Sequence, residues 1–397
     1  MHETSHMRKH LNTLTTLLIG TVLISACSKK DQITTTNPTT TTITDPLAAL
    51  DLPATAFNYA NIAVPAYYLG PEIIAQLNTP NNNPITDNGA TLGRVLFYDK
   101  TLSANNTISC GSCHKPELGF SDTAKLSKGF QGGLTGRNSM SIINARYYAN
   151  GRFFWDERAS TLEVQTLQPI QDHTEMGLTL DTLVNRLSRT THYPVLFTNA
   201  FGNSTITPDR VSRALSQFVR SVVSYQSKYD AGRATLAPGQ NPAVTPFANF
   251  TAQENQGKQI FLAPASCGAC HGTETFVAPG SRNNGLDLIP TDNGVGAALG
   301  IANRNGEFKV TTLRNVELTA PYMHDGRFKT LEEVVEHYSS GVKNHPNLSP
   351  PLRAPNGAVV NRNFSEAEKA ALVAFMKTLT DRTLATEAKY SNPFRNR

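Results

Sequence analysis

The sequence predicts a mainly α-helical chain of two domains with long loops, and three observations carry that prediction. Helix-start signals recur along the chain, whereas apolar/polar alternation with period two is scarce. The pentapeptide Cys-x-x-Cys-His occurs twice, once in each half. At 397 residues the chain exceeds what one hydrophobic core organises.

Taken in order, the chain opens with Arg8 and Lys9, an apolar run from Leu11 to Ile24, and the small residues Ser25 and Ala26. This is the pattern of an export signal over residues 1–26. The run is too short, and too interrupted by Thr and Asn, to cross the ~30 Å of bilayer hydrocarbon as a permanent anchor. Residues 27–60 follow as a Thr-rich tether, in which Ile33 to Thr44 is too polar and repetitive to pack. Two domains, 61–242 and 243–397, complete the chain, with the boundary in the loop from Gly239 to Thr245. Asp87 to Tyr98 reads as an amphipathic helix ahead of the first pentapeptide. Ala252 to Leu262, capped by Thr251 with Glu254 three positions on, precedes the second. Thr207 with Pro208 opens a helix to about Ser227, and Thr330 with Glu333 opens one to Ser340 before Gly341. Ser365 with Glu368 opens the last. The 27 Gly and 23 Pro lie largely between these segments and supply the loops.

Composition narrows the partners. With 39% hydrophobic and 17% charged residues the chain is globular. Its net charge of +5 is small for this length, and no Lys/Arg run forms a stripe, so nucleic acid is not expected as a partner.

Five cysteines are present, and four fall in the pairs Cys110-Gly111-Ser112-Cys113-His114 and Cys267-Gly268-Ala269-Cys270-His271. Each is the pattern of c-type haem attachment. Two thiols two residues apart add across the vinyl groups, and the adjacent His becomes the proximal iron ligand. A redox dithiol, half of a zinc site or a structural disulfide would each account for a Cys-x-x-Cys. A zinc site needs its ligands together, yet these pairs lie about 157 positions apart, and each is followed by His. Two cytochrome c-like haem domains are therefore expected. Haem replaces much of the core in such domains, so short helices and long loops can still fold.

Further residues carry a family resemblance. After the first pentapeptide come Gly136-Arg137-Asn138, Phe154-Trp155-Asp156-Glu157-Arg158-Ala159, Gln165, Pro169 and Glu175-Met176-Gly177. After the second come Leu313-Arg314-Asn315-Val316 and Thr319-Ala320-Pro321-Tyr322-Met323-His324-Asp325-Gly326. In this order and spacing the chain resembles the bacterial di-haem cytochrome c peroxidase family from about Asn88 to Thr380. The resemblance implies that His114 serves a peroxidatic haem and His271 an electron-transfer haem. It makes Glu175 the acid/base, Gln165 its partner that hydrogen-bonds the bound oxygen species, and Trp155 the aromatic between the haems. Asn138, with the backbone carbonyls of Thr319 and Pro321, matches the family's calcium ligands, and neutral oxygens suit that hard cation. The expected substrate is hydrogen peroxide, with a small cytochrome c, a cupredoxin or a quinol as electron donor, and the family tends toward homodimers. Ile24-Ser25-Ala26-Cys27 is similar to the lipobox of bacterial lipoproteins, with Ser28 rather than Asp next. That implies a lipid on Cys27 and a periplasmic protein tethered to the outer membrane.

Two positions depart from the commonest family pattern. Where many members carry a His that blocks the peroxidatic iron, this chain has Phe130, and neighbouring Gln131 is a poor ligand. The first haem is therefore expected to keep an open position in every redox state. The usual Met ligand of the second haem is replaced by Tyr338, as in the methylamine-utilisation-type branch, and a phenolate lowers the reduction potential where a thioether raises it. That branch oxidises a protein or organic substrate through high-valent iron, which makes it the alternative reading. A non-enzymatic di-haem electron carrier is a second alternative and would need neither Glu175 nor Gln165. Met323, His324, His337 and His345 compete with Tyr338 as iron ligands. On a helix over 331–340, Leu331, Val334, Val335 and Tyr338 share the apolar stripe, while His337 is expected with Glu333 and Glu336 on the wetter side.

Overall fold

The computed structural model describes residues 45–395, so the expected export signal and the lipid site at Cys27 lie outside the described residues. The architecture is mainly helical, and pairing of extended segments among the described residues is limited to isolated bridges. The helices that position the site are α1 (Asp87–Tyr98), α2 (Cys110–Cys113), α3 (Leu162–Gln171), α4 (Leu180–Ser188) and α5 (His192–Phe201), followed by α6 (Pro208–Ser221), α7 (Ala252–Leu262), α8 (Gly268–His271), α9 (Leu331–Glu336) and α10 (Glu366–Lys377).

One packing unit is built twice. Gly93 of α1 lies so close to α6 that a Cβ there would stand 2.0 Å from the Ala214 carbonyl oxygen. Gly257 of α7 meets α10 the same way, 1.8 Å from the Ala371 carbonyl oxygen. In both, only glycine lets the helix backbones touch. The next turn supplies the aromatic lock: Phe97 packs on Phe218 with ring centroids 5.2 Å apart, and Phe261 on Phe375 at 5.1 Å. Loop anchors repeat as well. Asn144 and Asn315 both hold a left-handed backbone. Each donates its N–H to a carbonyl just past the second helix, Val222 and Leu379 respectively. The Asn144 and Asn315 side-chain oxygens accept from the N–H of Ser224 and Asp381. Two buried clusters result, one around Phe97 and Phe218 and one around Phe261 and Phe375. The chain end returns to the first, where Leu384, Tyr390 and Phe394 are buried.

Several expectations are corrected. Residues 45–60, expected to belong to the tether, pack on the body. Leu50 bridges Phe394, the Tyr59 side chain is fully buried, and the Asp87 carboxylate accepts from the N–H groups of Tyr59 and Ala60. The helix opened by Thr207 stops at Ser221 rather than Ser227, because Val222 turns extended to reach Asn144. Ser227 caps a separate short helix, Lys228–Arg233. The helix opened by Thr330 is α-helical only to Glu336 and widens into a π-turn over His337–Gly341. His337 is not on a wet face: it is buried and hydrogen-bonds the Asn284 carbonyl at 3.0 Å.

Candidate functional site

Each pentapeptide folds as one helical turn at the edge of a cavity. Cys110 and Cys113 are the ends of α2, and Cys267 leads into α8. All four thiols are unpaired, and burial holds each above its ordinary titration range. The His114 Nδ1 lies 3.1 Å from the Phe120 carbonyl, and the His271 Nδ1 lies 2.9 Å from the Phe276 carbonyl. A carbonyl can only accept, so Nδ1 carries the proton and the lone pair of Nε2 is left for a metal. Burial lowers the pKa of both rings, that of His271 to about 4. Phe120 and Phe276 reach these positions through left-handed backbone, and Phe97 and Phe261 flank the two imidazoles at the same 6.5 Å. Two free thiols and one oriented neutral imidazole on each cavity rim are the donor set that a c-type haem requires.

The first cavity, of about 660 Å³, is lined by Cys110, Cys113, His114, Gln165, Pro169 and Glu175, and also by Trp155 and Arg158. Gln165 is brought there by α3. Glu163, two residues earlier and therefore on the opposite face of the helix, forms a bidentate pair with the buried Arg220, at 2.5 and 3.1 Å. Glu175 is set by the turn after α3. The Asp172 carboxylate accepts from the N–H groups of Thr174 (2.8 Å) and Glu175 (3.1 Å), and Gly177 takes the left-handed backbone that closes the turn. Among the described residues no donor pairs with the Glu175 carboxylate. Burial and then the Asp172 charge raise its pKa above the ordinary glutamate value, while Arg158 pulls it down. Phe130 is not among the cavity-lining residues. Its ring lies against Gly177, and its N–H donates to the Glu175 carbonyl at 2.9 Å, so it braces the Glu175 turn.

The second cavity, smaller at about 220 Å³, is lined by Cys267, Cys270, His271, Met323, His324 and Tyr338. Of the competing ligands, His337 and His345 do not reach it. His337 is bound to Asn284, and His345 lies 3.1 Å from the Asn283 side chain. His324 is stacked flat on Phe308, with centroids 3.6 Å apart. Asn284 Nδ2 stands 3.4 Å from the Tyr338 hydroxyl and 3.5 Å from the Met323 sulfur. Burial pushes the Tyr338 phenol up to about 12, against the Asn284 hydrogen bond. The π-turn presents Tyr338 to this cavity, a local irregularity of the kind found at functional sites.

Trp155 and Asn138 line both cavities. The indole N–H donates to the Asn138 carbonyl at 2.8 Å, and the Asn138 N–H donates to the His324 carbonyl at 2.8 Å. The Asn138 side chain donates to the Ala124 and Lys125 carbonyls at 3.2 and 3.3 Å, and Thr319 and Pro321 line the second cavity alongside it. Among the described residues no group of three or more His, Cys, Asp or Glu side chains is arranged to hold a metal ion by itself. Sequence reasoning missed Arg137, which ties the two halves through bonds to Asp156 and to Asp292, the latter bidentate at 2.7 and 2.9 Å. Its place beside Asn138 was the available signal.

The family described as di-haem cytochrome c peroxidase matches residues 87–235. The methylamine utilization protein MauG of Methylorubrum extorquens is 33% identical over 320 residues, covering 80% of this chain and 84% of the relative. Cytochrome c551 peroxidase of Nitrosomonas europaea is 30% identical over 306 residues, covering 76% and 81%. A crystal structure of a MauG-like protein associated with microbial copper homeostasis superposes with a TM-score of 0.71 at 32% identity, over 82% of this chain and 99% of that one. With its two cysteine-histidine turns and a fold shared along most of its length, the chain belongs to the di-haem cytochrome c peroxidase family.

Proposed function

We propose that the chain reduces hydrogen peroxide to water at the first cavity, with electrons from an external donor arriving through the second. The observation that carries this reading is Glu175, a carboxyl with a raised pKa that has no hydrogen-bond donor among the described residues and lines the cavity of His114, as Gln165 does. Bound haem supplies the redox centre at which the peroxide O–O bond is cleaved. The protein supplies the proton handling: Glu175 takes a proton from one peroxide oxygen and returns it to the other as that oxygen leaves. Gln165 offers an amide donor to hold the peroxide in line. With two electrons and two protons, each peroxide becomes two waters. Phe130 braces the turn without ligating, which supports reaction with peroxide in the fully oxidised state. Trp155, in the wall common to both cavities, is assigned the relay between them. A calcium ion at Asn138 and the Thr319 and Pro321 carbonyls, export to the periplasm, and lipidation of Cys27 complete the proposal.

Tyr338 at the second cavity favours one further reading, oxidation of a protein or organic substrate in the manner of the methylamine-utilisation branch. The two readings separate in one experiment. Peroxide consumption is followed with reduced cytochrome c, cupredoxin or quinol, beside an assay for oxidised tryptophan in candidate proteins. Rapid peroxide reduction by a donor supports the first reading. Peroxide use only when an oxidisable substrate is present replaces it with the second.

A further inference from the structure

Lys309 stands in the wall between the cavities and lines both. Its backbone N–H donates to the Trp155 carbonyl at 2.8 Å, which fixes where its side chain starts. The ammonium lies over the Tyr148 ring, 2.8 Å from the centroid, and 4.8 Å from that of Phe153. It donates to the Arg152 carbonyl at 3.2 Å. Among the described residues no carboxylate pairs with it. Glu157, the one carboxylate whose charge acts on it, is already engaged by the Tyr148 hydroxyl, by Asn150 at 2.9 Å and by Arg304 at 3.5 Å.

Other buried cations of this protein are better served. Arg314 meets Asp230 at 2.5 Å, and Arg220 meets Glu163. Arg94 and Lys258 each reach two carbonyls. Lys309 has one carbonyl for three donors, in a setting where a buried charge needs an anion. The cavities it lines have the thiol and imidazole set for haem, and each haem carries two propionate carboxylates. The geometry points to Lys309 as the counter-cation of a haem propionate at the wall the two cavities share. A carboxylate on Nζ would satisfy the remaining donors. Burial alone would leave the lysine well below its ordinary range, and the carboxylate restores its charge.

This assignment rests on the di-haem reading, which intact-protein mass tests separately: a wild-type chain without two covalent haems overturns both. In haem-loaded protein, Lys309→Met removes the charge at similar length and Lys309→Arg keeps it. Potentiometric titration should show one haem of the Met variant shifted to lower potential, because a lost cation disfavours the reduced state. The propionate bending bands in resonance Raman should move with it, and the Arg variant should return toward wild type. Unmoved potentials and bands in the Met variant would make Lys309 a neutral packing residue and end the proposal. If that variant accumulates poorly, a haem-containing crystal structure of wild type decides: Nζ in contact with a propionate oxygen supports it, and Nζ in contact with none overturns it.

Discussion

Replacing Glu175 by Gln isolates the proton-transfer step, because the substitution keeps shape and volume while removing the titrating oxygen. Among the described residues no donor pairs with the Glu175 carboxylate, so the amide strands no buried partner, and a partly buried charge is removed. Folding stability and the resting haem spectrum should therefore be nearly unchanged. The loss should fall on the transition state: ~100- to 10,000-fold in peroxide turnover, or about 2.7 to 5.4 kcal/mol. Stopped-flow peroxide consumption with a reduced donor reads it. The pH profile gives an internal check on the same residue. Glu175 must be ionised to accept a proton, and its pKa is raised, so kcat/KM should fall on acidification at a pH above the ordinary glutamate range. Asp172 raises that pKa, and Asp172→Asn keeps the oxygen that accepts from Thr174 and Glu175. The acid limb of the Asn variant should therefore move to lower pH. Full turnover in Glu175→Gln, or an acid limb in Asp172→Asn unmoved or displaced upward, would show that Glu175 is not the acid/base.

Tyr338→Phe keeps the apolar ring and deletes the oxygen beside Asn284. If the phenolate ligates the second haem, its tyrosinate-type spectrum should vanish and its potential should rise, while identical spectra and potentials would assign Tyr338 to packing. Gly257→Ala forces a Cβ to within 1.8 Å of the Ala371 carbonyl oxygen, so α7 and α10 must part. The expected loss is about 1–3 kcal/mol in denaturant unfolding of the haem-loaded protein, and an unchanged midpoint would show that this crossing is not tightly packed. Chelation with EGTA should remove one calcium per chain by elemental analysis and slow turnover, with recovery on calcium addition. Protein that never contains calcium and is indifferent to EGTA would reassign Asn138 to its hydrogen bonds with Ala124 and Lys125.

The site was legible in the sequence wherever its chemistry sits in consecutive residues. The two pentapeptides announce themselves because thiols and imidazole must be neighbours to grip one cofactor. The Thr251, Thr330 and Ser365 caps were readable for the same reason, since a cap is a contact over three positions. The duplicated helix crossing was present as Gly-x-x-x-Phe in both α1 and α7, yet a single such pattern is too common to stand out. Helix ends were less readable. Val222 leaves the helix for a partner at Asn144, and the turn after Glu336 widens to π, both through contacts remote in sequence.

The helical class and the two cysteine-histidine turns could be read from the sequence alone, while the roles expected of Glu175, Gln165 and Trp155, and of Tyr338 in place of Met, were implied by its family resemblance. Only the tertiary structure decided that Phe130 packs on Gly177, that His337 turns to Asn284 and leaves Tyr338, Met323 and His324 on the cavity, and that residues 45–60 join the body. It alone placed Lys309 in the wall between the cavities. The difference is one of range: a motif encodes contacts made within a few residues, whereas burial and the partner of a charge depend on segments tens to hundreds of positions apart that meet only when the chain packs.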